Sequence, residues 1–281
     1  MTICSGVNKN FGRATSITQL SAKVISRFHD PKEIAQFAGS VIDQRPLVIC
    51  FGEQHVENRI IENVKSPSKH FISDFFIPLH KGGYLDLVYE QLAYGISIDF
   101  YHDKLRLRDE STTEEDINLL KSELSSFIEK SKEKAKDKEG LEAIIYSAFL
   151  LGQRLHGVFP EGSSFLEYLN SPFILRDHFL RVVRDLSSQG RPVITYGGGL
   201  HILIDPPDIE GFPDVSFVKP LITEDRKKIV AIDLISPEYV VSGLGSHYEN
   251  FVRFYSDPHE GKILQYGENQ YAIVYPGRFK E

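Results

Sequence analysis

Three short apolar runs, residues 46–51 (PLVICF), 84–89 (YLDLVY) and 192–196 (PVITY), are separated by stretches whose apolar residues recur at helical spacing. Runs this short and this uniformly apolar fit strands buried on both faces, as in parallel sheets covered by helices. Parallel neighbours need long crossovers, and the intervening helices supply them. The chain is therefore read as α/β, with a mainly parallel central sheet flanked by helices. A helical insertion, about residues 97–190, falls between the second and third runs.

The helical periodicities are specific. Ile17, Leu20, Val24, Ile25 and Phe28 predict a first helix, and Asp30-Pro31 opens a second with a cap and a proline at its first position. Ile60, Ile61 and Val64 share a face. A restart at Ser66-Pro67 carries Ile72, Phe75, Phe76 and Leu79 to a stop at Gly82-Gly83. Residues 113–138 form a helix with a thin stripe (Ile117, Leu120, Leu124, Phe127, Ile128), running out into a charged stretch, 131–140, read as a solvated helix end. Leu141, Ile144, Ile145, Ala148 and Phe149 mark another helix, and Ser164 and Glu167 have capping-box spacing. Ser171-Pro172 opens one with core face Leu175, Phe179, Val182, Val183 and Leu186. Further strands are predicted at 215–221, 229–235, 263–266 and 271–275, and no linker divides the chain, so 1–281 is read as one domain.

Composition removes several function classes. With 41% hydrophobic residues the chain can bury a core without staples, and its two cysteines cannot form a disulfide framework. A net charge of -7 and the lack of a basic stripe argue against nucleic acid. No stretch approaches a membrane span, and residues 1–10 lack a signal-peptide pattern, so the cytoplasm is the expected compartment, with secretion by another route left open. A small-molecule or peptide substrate is the expected partner, and a homodimer is compatible with the sequence.

In open parallel sheets ligands bind beyond the carboxyl ends of the strands. The first run delivers Gly52-Glu53-Gln54-His55 there, the second Glu90, and the third Gly198-Gly199-Leu200-His201. Two strands thus end in Gly-x-x-His. The glycines Gly52, Gly198 and Gly199 allow a sharp turn and are expected to leave the floor of a pocket open. Two imidazoles with a carboxylate suit either a divalent metal that activates water, with His55, Glu90 and His201 as ligands, or metal-free general-base chemistry. Glu53 and Glu57 are additional carboxylates near the first motif. The other histidines, His70, His80, His156 and His247 among them, are read as structural. The triple glycine 197–199 lacks the lysine and spacing of a phosphate loop, and no serine elbow is present.

Residues 51–55 (FGEQH), Glu90 within VYEQL, 174–179 (ILRDHF) and 195–201 (TYGGGLH) together resemble the superfamily uniting erythromycin-esterase-like, ChaN-like and Tiki/TraB proteins. The ChaN-like branch is the most similar, through Gly-Glu-x-His. That branch usually continues with aspartate, whereas here Val56 and then Glu57 follow. Arg176 is similar to an arginine at a helix start in the same branch and is carried as a binding candidate. The resemblance implies either of two activities. One is hydrolysis, metal-dependent as in Tiki-like members or by histidine and glutamate as in the esterases. The other is non-enzymatic binding of haem or an iron complex, as in ChaN-like members. An effector or inactive scaffold is a third reading that the residues neither favour nor exclude.

Overall fold

The computed structural model describes residues 21–54, 64–100, 113–132, 138–160, 172–204, 215–225, 228–240 and 248–277. His55 and Glu57 lie outside the described residues, as do Ile17, Leu20, Ile60, Ile61, Ser164, Glu167 and Ser171.

The strands are β1 (Lys23–Phe28), β2 (Val48–Glu53), β3 (Asp86–Ala93), β4 (Ser97–Asp99), β5 (Arg154–Phe159), β6 (Val193–Gly198), β7 (Ile229–Ile235), β8 (Gly261–Gly267) and β9 (Gln270–Val274). They form a nine-stranded sheet of order β1-β8-β9-β7-β2-β6-β3-β5-β4. Strands β9, β7, β2, β6, β3 and β5 run parallel, while β8 and β4 run against their neighbours. The helices are α1 (Pro31–Asp43), α2 (Pro67–His70), α3 (Ile77–Lys81), α4 (Glu114–Lys132), α5 (Lys138–Leu151), α6 (Pro172–Ser188), α7 (Gly199–Ile202), α8 (Val218–Asp225) and α9 (Glu249–Val252). No helix among the described residues is long and apolar enough to cross a membrane.

The central strands are apolar on both sides because both sides are covered. Ile49, Phe51, Leu87, Tyr89, Ile194 and Tyr196 pack into one core with helices α1 and α5. Their alternates Val48, Cys50, Val88 and Val193 pack into a second core with α6 and α8. Burial drives the Cys50 thiol up to about 12, against a hydrogen bond with Thr195, so it behaves as a small hydrophobe.

Helix α1 starts as the sequence predicts. The Asp30 carboxylate accepts from Lys32 N at 2.9 Å, and Glu33 reaches back to complete the capping box. Asp30→Ala is expected to cost about 1 kcal/mol, measured as a fall in the urea midpoint. Between α2 and α3 the helix widens to a π-turn over Phe71–Phe76. Pro78 explains the widening: it has no N–H for the carbonyl four residues back, and its ring crowds that carbonyl.

Three expectations are corrected. The segment around Val24, Ile25 and Phe28 is strand β1, paired with β8, and only Phe28 in it is buried. A β-branched run on a sheet edge mimics a helical spacing too short to separate the two. Residues 215–221 are not a strand but lead into α8. The Ser216 hydroxyl caps that helix, accepting from Val218 N at 3.2 Å and Lys219 N at 3.3 Å, and Pro220 sits in its first turn. Finally, β3 does not end at Glu90 but continues to Ala93. The stretch between β3 and β6 contains the expected helices, and it also contributes β4 and β5, which extend the sheet beyond β3.

Candidate functional site

Strands β2 and β6 are hydrogen-bonded neighbours whose onward connections leave on opposite faces. The chain after β2 packs Phe71 and Phe75 into one core. The chain after β6 packs Phe217 and Val218 into the other. Adjacent parallel strands that diverge in this way open a crevice at their carboxyl ends.

Glu53 is the last residue of β2. It is 4% exposed, and the Tyr196 hydroxyl donates to its Oε2 at 2.5 Å. Glu90, 6% exposed, approaches from β3 and accepts the backbone N–H of Gly198 at 2.5 Å. A break in register between Tyr89 and Ala93 holds it there. Such irregularities re-aim side chains at sheet rims. Gly157 makes the break fit, since a Cβ at that position would run into the Ala93 carbonyl. Gly197 does the same for the carboxylate, because its Cβ would lie 2.5 Å from Glu90 Oε2.

His201 lies in α7, directly after β6, and is 5% exposed. Its Nδ1 is 3.1 Å from the Val215 carbonyl oxygen, and its ring stacks at 6.2 Å on Phe179. A carbonyl only accepts, so Nδ1 is the donor in this bond. The same Phe179 ring lies 3.2 Å from where a Gly197 Cβ would be, next to Glu90. His201 and Glu90 therefore flank one aromatic side chain.

Sequence reasoning missed the residues from β7 and beyond. Asp233 is fully buried near the end of β7, aligned with Gly52, and accepts from Tyr266 at 2.6 Å and Tyr248 at 3.3 Å. Burial, then the charge of Asp233, holds the Tyr248 hydroxyl far above its ordinary range, so it remains a donor. The signal was one aspartate inside the otherwise apolar IVAIDLI. A buried charge in a central strand requires partners, and both partners come from distant sequence.

Gly52 and Gly199 do not leave an open floor. A Cβ on Gly52 would sit 2.7 Å from Gly199 Cα and 3.0 Å from Asp233 Oδ1, and one on Gly199 would overlap the Tyr248 hydroxyl. Their role is close approach of backbone to charged side chains. Gly199→Ala should therefore cost about 1–3 kcal/mol through overpacking, seen as a lower urea midpoint. Adding Tyr248→Phe should recover part of that loss.

Arg176 is not brought into this cluster by its described contacts. Its guanidinium binds Asp177 Oδ1 at 2.8 Å and lies over the Phe173 ring at 4.8 Å, on the exposed start of α6. Among histidines read as structural, His70 bonds Asp74 at 3.2 Å and stacks on Tyr275, and His156 bonds Asp86 at 2.9 Å. Among the described residues no group of three His, Cys, Asp or Glu side chains comes together as a metal site. The expected ligand His55 is outside that set.

No family profile matches the chain, and no curated protein does. Among solved structures, that of the type III effector HopBA1 is similar, with a TM-score of 0.46 and 14% identity, covering 94% of this chain and 99% of that one.

Proposed function

We propose that the crevice at the carboxyl edge is the reaction centre of a hydrolase working by general acid–base chemistry in a reducing, cytoplasmic compartment. One observation carries the reading. Glu53, Glu90, His201 and Asp233, from strands β2, β3, β6 and β7 or the turn directly after them, are all at most 6% exposed at one edge of the sheet. Burying ionisable groups is costly, and their concentration at the carboxyl edge, where parallel sheets bind ligands, supports a working site there.

In this reading His201 Nε2 takes a proton from water, the resulting hydroxide attacks the substrate's electrophilic centre, and the proton returns to the leaving group. Glu90, fixed by Gly198 N, balances the imidazolium that forms in between. Glu53 is held by the Tyr196 hydroxyl, and Asp233 by those of Tyr266 and Tyr248. A divalent ion on His201 Nε2 would be the metal-dependent form of this reading, the Val215 carbonyl on Nδ1 being a usual partner for the second nitrogen of a metal-bound imidazole. Glu90 and His201, with His55 from the first motif, would then be its ligands, and the ion would supply an acidified water.

The test is a screen of wild-type protein against chromogenic esters, amides, phosphoesters and glycosides, alone and with zinc or manganese, alongside its metal content. Saturable hydrolysis of one class is the expected result. Failure across all classes, with and without metal, would remove the reading.

A further inference from the structure

The opposite edge of the sheet, where the parallel strands begin, holds a second polar assembly. Ser97 and Asp99 of β4, Arg154 and His156 of β5, and Arg191 ahead of β6 line a cavity of about 510 Å³. Behind it lies Asp86, the first residue of β3, its side chain 3% exposed.

Asp86 organises the cavity. Arg191 grips it with two nitrogens, Nε at 3.0 Å and Nη2 closer still. His156 Nε2 is 2.9 Å from it, and Arg154 Nη1 is 3.6 Å away. Burial works to raise the Asp86 pKa, but hydrogen bonds from His156 and Arg191, with the charge of Arg191, outweigh it and hold the carboxyl below its usual range. The buried carboxylate thus fixes the Arg191 guanidinium plane and attracts the Arg154 side chain beside the same opening, so part of their ordering cost is already met by the fold.

The outward side of the assembly is built differently. Arg154 Nε bonds Asp99 Oδ2 at 3.3 Å, and the Asp99 side chain is 37% exposed on a short edge strand. Arg191 Nη1 reaches only the exposed Gln189 amide oxygen, at 3.5 Å. Asp99 is the more exposed carboxylate of the cluster, and so the one an incoming anion competes with. A phosphate monoester taking its place brings more negative charge to the two guanidinium groups than the carboxylate it displaces, about −1.5 to −2 near neutral pH. A tetrahedral oxyanion offers oxygens to both guanidinium groups at once, which the single carboxylate of Asp99 does not.

We infer that this cavity is a binding site for a small phosphate monoester, held by Arg154 and Arg191 and admitted by displacement of Asp99. The volume is in the range of small-molecule pockets and exceeds what a bare phosphate fills. The site is at the other edge of the sheet from the proposed reaction centre and does not depend on that reading.

Calorimetric titration of the full chain at low ionic strength with glycerol 3-phosphate, inorganic phosphate and acetate tests it. Saturable 1:1 binding of glycerol 3-phosphate is expected, with acetate giving none. If inorganic phosphate binds as tightly as the ester, the ligand is the free ion and the monoester assignment is overturned. Arg154→Gln should weaken binding by about tenfold or more, and Asp99→Asn should strengthen it severalfold by removing the competing carboxylate. Absence of saturable binding, equal binding of acetate, or an unchanged affinity in folded Arg154→Gln would overturn the inference. Should Arg154→Gln fail to fold, Asp99→Asn decides, since unchanged or weaker binding there contradicts displacement.

Discussion

Glu90→Gln is expected to lower kcat/KM for the hydrolysed substrate by about 10²–10⁴-fold, the usual contribution of a positioned acid–base group. The substitution is chosen to leave packing intact. Glu90 accepts the Gly198 N–H, and a glutamine oxygen can accept the same bond. Gly197 leaves no room for a repositioned side chain, because even a Cβ there would press against the carboxylate. The charge is lost while the shape remains. Circular dichroism and the melting temperature should stay near wild type as turnover falls, separating a chemical role from a structural one.

At the other edge of the sheet the large effect is on stability. Asp86→Ala is expected to cost about 3 kcal/mol, the lower end of the range for removing one partner of a buried ion pair. The lower end applies because the stranded Arg191 and Arg154 side chains are 30% and 23% exposed, so water takes over part of the lost interaction. Urea unfolding at neutral pH measures the loss. The sign of the pH dependence follows from the depressed folded-state pKa of Asp86. Its contribution is complete above the unfolded carboxyl value of about 3.9. It is lost as the pH falls through the lower folded value. Wild type should therefore lose more stability than Asp86→Ala between neutral pH and about pH 2–3.

Part of this architecture was legible from sequence for simple reasons. The largely apolar runs of β2, β3, β6 and β7 have no solvent face to blur the pattern, and Asp30-Pro31 and Ser66-Pro67 state their helix starts outright. Glu53, Glu90 and His201 could be placed because each follows or ends such a run. What was illegible depended on partners far away in the chain. Edge strand β1 is mostly exposed and β4 has only three residues, so periodicity says little about them. The Ser216 cap was hidden in an apolar stretch that reads as strand, although Pro220 was a signal for a helix start. Asp233 is a single aspartate within an apolar strand run, and only folding brings Tyr248 and Tyr266 to it. The glycines were read for openness when their neighbours in space make them sites of close contact.

The central claim is that His201 and Glu90 act as one unit. The most direct measurement is kcat/KM of the double variant Glu90→Gln/His201→Ala beside each single variant, on the substrate class that the wild type hydrolyses. Groups that serve the same step are strongly non-additive. The account predicts that the double variant is scarcely slower than the slower single variant. Losses that multiply, or full activity in either single variant, would contradict it.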